Sequence, residues 1–450
     1  MEASPSRTSF AHSLATTIAF IALTVCLSAC SNSEPVELYT EAPTSVQYNE
    51  VEKDSNLANT VIKEYLPLDD TEYPYAGIPR IVIETEKHRT IKDQKTKIPA
   101  KLQIWGEKSP ESEIMELTIR GRGNSSWDLP KKSYKIEFID KQAILGMPKD
   151  RDWALIANHL DTTMIRNYIA NYISRISNIS YTPRNKFVEL FLNGEYKGTY
   201  QLYETLKISK SRINIGNENF LLEVDNHPRS KDVSFYVKHI SNPIKIHSST
   251  ITNNDSNYIY IQQKISNIDN VIFSSNFLDS ENGYKKYVDI DALVEWYVIT
   301  EITKNASNRA NWYMTYERDR KLKMGPFWDY DLAFGNTLWG LAANDFSGFW
   351  MDSIPWFSQF IQDSIFKRKV TDRFDYFYNQ KDSISDEIIK ISQALNQSVI
   401  QNERLWNTLG CSSCSPSNIQ KKYGEHVLKM KLWFTQRLEW LRKDFSDKEI

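Results

Sequence analysis

Four cysteines in 450 residues are too few to staple a chain of this size, so a hydrophobic core has to hold it together rather than a disulfide scaffold. An excess of one charge is also missing. Fifty-five Lys plus Arg against 57 Asp plus Glu leave a formal charge of -2, and no global field marks nucleic acid as the partner. The seven histidines show no HExxH or comparable ligand spacing, which leaves zinc hydrolysis unsupported, and neither GxSxG nor a Walker A pattern occurs. No apolar run reaches the roughly 20 residues of a membrane span. What is present, 41% hydrophobic and 25% charged residues, excludes wholesale disorder and suits one large or two modest domains. Aromatics at 12% read first as core, and second as stacking surfaces, for which Trp339, Trp350 and Trp356 are the candidates.

The first 29 residues read as an export signal. A front with the single base Arg7 leads into an uncharged apolar stretch, Leu14 to Ala29, that ends in small residues. Its close, Leu27-Ser28-Ala29-Cys30, resembles the lipobox of bacterial lipoproteins, which implies cleavage before Cys30, a lipid on that cysteine, membrane attachment and a place in the cell envelope. Residues 30–78 have tether composition, with ten acids against Lys53 and Lys63 and no sustained apolar period. The folded body is expected over 79–450 and is mildly basic.

Period-two patterning predicts strands at 81–85, 98–105, 114–119, 133–138, 186–192 and 196–203, the last two joined by the hairpin signal Asn193-Gly194. Helical spacing is expected at 162–176 behind Asp161, at 289–303, and at 355–378, 383–408 and 416–444, with strands at 312–317 and 321–324 between helices. Residues 240–270 read as an insertion of uncertain structure. The expected class is α+β, a sheet-rich front and a helix-rich rear forming two lobes with a cleft.

The densest polar segment is Gly325–Asn336. Asp329 and Asp331 are two apart, so on extended backbone both carboxylates project to one side, an arrangement that suits a hard cation. Arg120-Gly-Arg-Gly-Asn-Ser-Ser-Trp127 is a glycine-rich loop whose N–H groups and arginines, Arg122 among them, suit phosphates. On the following strand Ser133 and Lys135 share one face, which can place a lysine beneath that loop, and Glu204 closes an apolar strand where it can pair with such a lysine. Asp161 and Arg166-Asn167 read as a cap and a buried hydrogen-bonding pair. Cys411 and Cys414, a close pair in an exported chain, read as a local disulfide.

Together these segments resemble the CotH family, the spore-coat-protein-H kinases. The RGRGNSSW…PKKSYKIEF stretch, Asp161…Arg166-Asn167, the 193–204 hairpin, Phe220–Asp225 and Gly325–Asn336 occur in the family's order. The resemblance implies an atypical protein-kinase-like fold that transfers phosphate from ATP to Ser or Thr of exported proteins with Mg²⁺ or Mn²⁺. In that picture Lys135, or its neighbour Lys132, contacts the phosphates, Glu204 pairs with the lysine, and Asp329/Asp331 hold the metal. Related sequences carry an aspartate two residues after the position of Asn305, where this chain has Ser307. Asn305, Asn308 or Asn311 remains to contact metal or phosphate, yet losing the aligning carboxylate implies turnover lower by ~10²–10⁴. The alternative is therefore a pseudokinase that binds nucleotide or assembles other proteins.

Overall fold

The computed structural model describes residues 64–447 apart from 249, 254 and 338–340; the expected signal and Cys30 lie outside the described residues. Seven strands make the front: β1 (Arg80–Thr85), β2 (Ile98–Trp105), β3 (Met115–Arg122), β4 (Ser133–Ile144), β5 (Met147–Ile156), β6 (Asn185–Leu192) and β7 (Glu195–Glu204). Their order is β1-β2-β3-β4-β5-β7-β6, and β1 pairs in parallel with β6 to close a barrel. Closure leaves no exposed edge, and one side chain in two points inward, among them Ile83, Leu102, Ile136, Phe138, Trp153 and Leu190. Asn193 and Gly194, at φ 54 and 77, make the predicted hairpin turn.

A second sheet, ordered β12-β11-β8-β10-β9, is built from β8 (Phe220–Val224), β9 (Ser234–Val237), β10 (Ile240–Ile246), β11 (Trp312–Tyr316) and β12 (Lys323–Met324). Every residue of β8 is buried. Besides a single turn at Leu341–Asn344, the α-helices among the described residues are α1 (Arg166–Arg175), α2 (Ser256–Ile272), α3 (Ile290–Thr303), α4 (Pro355–Phe360), α5 (Ser364–Asn379), α6 (Lys381–Ala394), α7 (Asn396–Trp406) and α8 (Pro416–Asp447). All of α3 from Leu293 to Thr303 is buried, the mark of a core helix rather than an amphipathic one. No helix among the described residues is long and apolar enough to cross a membrane.

The architecture is thus α+β, with its sheet-rich part first and its helical part last. Several boundaries differ from expectation. The stretch 240–270 is regular: β10 continues the second sheet, and Asp255 caps α2 by accepting from the N–H groups of Asn257 and Tyr258. The expected helix 355–378 breaks at Asp363, which caps α5, and 383–408 divides at Leu395. Residues 64–78 were expected in the tether, yet they pack on the barrel. Leu66 is buried with Val82, Phe191 and Tyr196, and the ring of Tyr73 stacks on Tyr196 at 4.3 Å. The carboxylate of Asp70 pairs with buried Arg80. Trp350 and Trp356 are core residues rather than stacking surfaces; Trp339 lies outside the described residues. The disulfide Cys411–Cys414 sits between α7 and α8.

Candidate functional site

The segment after β12 is held by side chains from α1 and from the 305–308 turn. Asn167 Oδ1 accepts from the N–H of Tyr330 at 2.7 Å, and Arg166 Nε donates to the carbonyl of Ala333 at 3.1 Å. Asn305 Nδ2 donates to the carbonyl of Asp329 at 2.9 Å, and Asn308 Nδ2 to the Tyr330 hydroxyl at 2.8 Å. Asp161 is buried against Arg166 and accepts its backbone N–H, so this pair caps the start of α1 and fixes the arginine that grips the loop. The loop is not extended as expected. Asp329 stands at φ 66 and Phe334 at φ 52, left-handed conformations that aspartate tolerates better than most residues.

Asp329 is exposed to solvent, yet enough protein surrounds it to desolvate its carboxyl, so it lines a shallow recess. Burial pushes its carboxyl up from the usual range, the Arg122 guanidinium pulls it back, and Glu223 pushes it up again. Asp331 is driven up further, by burial and by the neighbouring charges of Asp329 and Asp161. The two acids therefore repel one another, and among the described residues neither has an ion-pair partner.

The outer surface of β3, β4 and β5 meets Asp329 at Arg122. Arg120 and Arg122 stand there with Lys135, which lies opposite Arg120 in the β3–β4 register. Arg122 lies 5.3 Å over the Trp328 ring, and its pKa is lowered by burial against the pull of Asp329. Neither arginine forms an ion pair among the described residues, although Arg120 donates to the carbonyls of Gln94 and Gly121. In the glycine loop, a Cβ on Gly121 would meet the Trp127 ring at 2.4 Å, so glycine there admits the indole.

Two lysine expectations change. Lys132 Nζ is engaged by the carbonyl of Trp127 at 2.6 Å, and Lys135 pairs with Asp152 at 2.8 Å. The pairing of Glu204 with a lysine is contradicted. Its buried carboxylate accepts from Arg184 Nε and the Tyr181 hydroxyl at 2.9 Å each, and from Arg212, because the chain before β6 and after β7 brings both arginines to that strand end. The fully buried lysine is Lys131, which donates to the carbonyl of Thr199 and to Asn402 Oδ1 and joins the barrel to α7.

The second sheet contributes residues that sequence reasoning missed. Glu223, on β8, accepts from Asn311 Nδ2 at 3.1 Å and the Tyr313 hydroxyl at 2.8 Å, and its other oxygen lies 2.6 Å from His247 Nε2. Burial raises this carboxyl, but His247 and Tyr313 outweigh burial and hold it below its usual range. Glu223 was visible only as part of the Phe220–Asp225 motif, and His247 fell in the stretch whose structure was left open. The alternation of Glu223 and Asp225 on one strand was the available signal. Ser307 lies in the short turn 306–309, where its N–H donates to Asn305 Oδ1 and its carbonyl accepts from the N–H of Asn311.

Arg122 and Asp331 each interact with Asp329, Asn311 is tied to the nearby Glu223, and Ser307 lies in the turn whose Asn305 holds the Asp329 carbonyl, while Glu204 and Lys132 are committed elsewhere. An apolar cavity of about 240 Å³ in the helical part is lined by Tyr297, Phe366 and Phe445 and shares none of these residues. No group of three or more acidic, His or Cys side chains forms a cation cage among the described residues. Such a cage is not what Mg²⁺ requires, since one or two carboxylates plus substrate phosphates suffice. Two mutually repelling carboxylates beside the unpaired Arg122 guanidinium fit a cation with a polyphosphate.

The CotH kinase protein family matches residues 119–441, most of the chain. This chain belongs to the CotH kinase family. The match begins in β3 at the glycine loop and runs into α8, so it takes in both walls of the recess. No curated protein matches the chain.

Proposed function

We propose that this member of the CotH kinase family is a phosphotransferase that moves the γ-phosphate of ATP to Ser or Thr of exported proteins, working from the cell envelope on a lipid carried by Cys30. The observation that carries the reading is the unmatched charge across the recess. Arg122 stands without an ion-pair partner beside Asp329, whose carboxyl, like that of Asp331, is pushed up. Phosphate oxygens suit the guanidiniums, and Mg²⁺ or Mn²⁺ would be held by Asp329 and Asp331, with Asn311 beside them; when bound, the cation neutralises developing charge on the phosphates. In this reading the barrel takes the part of the nucleotide-covering lobe of a kinase, and the second sheet with its helices takes the part of the other. The chain's own contribution is placement, since phosphoryl transfer asks for positioned charge more than for covalent chemistry.

Label transfer from γ-labelled ATP to Ser/Thr-containing acceptor peptides, with Mg²⁺ or Mn²⁺, tests the activity. Equal label with the wild-type chain and with Asp331→Ala would count against it. Ser307 favours a second reading, a pseudokinase that binds nucleotide without turning it over. A melting shift with ATP and metal, combined with absent transfer that Ser307→Asp restores, would support that reading. The anchor is tested by intact mass of the membrane form; an unmodified N-terminus upstream of Cys30 would remove it.

A further inference from the structure

The residue that a kinase needs at Ser307 is a carboxylate able to orient the acceptor hydroxyl and take its proton, and serine does neither at neutral pH. Glu223, hydrogen-bonded to Asn311, carries on its other oxygen a group with the right chemistry. His247 lies with Nε2 2.6 Å from Glu223 Oε2, while its Nδ1 makes no hydrogen bond among the described residues, and its side chain is about a quarter exposed. Glu223 is itself held by Asn311 and the Tyr313 hydroxyl, and the imidazole packs against the Tyr313 ring with centroids 5.6 Å apart. Tyr313 and Glu223 both feel the charge of Asp329. A buried carboxylate on one imidazole nitrogen fixes the tautomer and leaves the other nitrogen basic, the logic of a carboxylate–histidine pair in acyl transfer.

We infer that the His247–Glu223 pair is the proton acceptor of this site and takes over the role that Ser307 cannot fill. The inference rests on the phosphotransferase reading above. In the step, the acceptor hydroxyl oxygen bonds to the γ-phosphorus while the bond from that phosphorus to the β–γ bridging oxygen breaks and ADP leaves. The hydroxyl proton passes to His247 Nδ1, and Glu223 stabilises the imidazolium through Nε2–H. No oxidant or further reactant is needed. Lys245, two residues before His247 on β10, is turned to Asp225 and Asp232 at 3.6 and 3.0 Å and leaves the imidazole to Glu223.

The test uses the full chain with γ-labelled ATP, a divalent cation and acceptor peptide, with thermal melts confirming that each variant folds. His247→Gln should lower kcat by ~10²-fold and leave KM for ATP within about threefold, because the imidazole acts on the acceptor and not on nucleotide binding. Ser307→Asp placed in the His247→Gln chain should recover at least about tenfold, since the two groups fill one role. Independently of activity, imidazole nitrogen NMR of the ligand-free chain should show His247 in the Nε2–H tautomer. Turnover within twofold of wild type in His247→Gln, no recovery in the double variant, or an Nδ1–H tautomer would each overturn the assignment while leaving the phosphotransferase reading intact. Transfer absent from wild type and every variant would remove that reading and the proton-acceptor role together.

Discussion

Two clusters of charge flank the end of β7, and they resolve in opposite ways. At Glu204 the carboxylate is buried and satisfied, with Arg184, Arg212 and Tyr181 donating to its oxygens and the Arg212 guanidinium lying 4.6 Å over the Trp153 ring. At the recess, Arg122 faces Asp329 without pairing, and burial together with the charge of Asp329 pushes the Asp331 carboxyl up. Both clusters bring acids and bases together within motifs of one family, so proximity alone does not separate them. Satisfaction does. A buried carboxylate whose oxygens are engaged stabilises a fold, even with Arg212 Nε and Nη2 left without partners, whereas solvent-reached charges held together without ion pairs are arranged for something that arrives later.

The largest contrast is between removing a charge from each cluster. Asp329→Asn should reduce phosphate transfer by on the order of 10³-fold, the scale of losing one preorganised electrostatic group at a reacting centre. Its melting temperature should stay level or rise, because the substitution relieves repulsion with Asp331. A stability loss there, with activity retained, would make the recess structural. Glu204→Ala should do the reverse by stranding Arg212 in the interior, at a cost of about 3–5 kcal/mol read as a shift in the urea midpoint at constant slope.

Glu189 is an intermediate case that sharpens the distinction. It is fully buried between the barrel and α7, with Tyr196 and Ser398 donating to one oxygen and no partner for the other. Burial raises its pKa to about 7, against the Tyr196 and Ser398 hydroxyls and the charge of Arg80, which pull it down. The folded state therefore holds its proton where the unfolded state has lost it. Stability from this group is full below pH about 4.5 and is lost as pH rises towards 7. Denaturation midpoints at pH 5 and pH 8 should converge when Glu189→Gln is compared with wild type, by about 2–3 kcal/mol. An equal pH dependence in both chains would show that the orphaned oxygen has found a partner.

What the sequence made legible was local. Period-two runs located β2 at 98–105 and the hairpin at Asn193-Gly194, and the order of motifs marked the residues that gather at the recess. The parallel pairing of β1 with β6 that closes the barrel joins Ile81 to Leu190, more than a hundred residues apart, and no local pattern carries it. β5 was missed because Lys149, Asp150 and Arg151 interrupt its apolar alternation, although Asp150 faces Lys207 and is satisfied there. Glu204 was matched with a lysine because the sequence shows which charges exist but not which arginine arrives first. His247 could not be joined to Glu223 without knowing that β10 pairs with β8, Ile246 opposite Leu222.

The smallest expected effect separates two cations that the sequence treats alike. Lys132 is already engaged, its ammonium on the Trp127 carbonyl and 5.3 Å from that indole ring, whereas Arg122 makes no ion pair among the described residues. If satisfaction is the right criterion, Arg122→Met should raise KM for ATP about tenfold, the worth of one charge-assisted contact to phosphate. Lys132→Met should stay within about twofold, since its ammonium is committed to the protein before any ligand arrives. Lys135 falls between them, because its pairing with Asp152 leaves more than a quarter of the side chain exposed and two further donor hydrogens to offer. The reverse ranking, with Lys132 dominant, would mean that ATP pulls that ammonium off the Trp127 carbonyl. Satisfaction in the ligand-free chain would then no longer distinguish structural charge from functional charge, and the contrast between the two clusters would have to be redrawn from ligand-bound geometry.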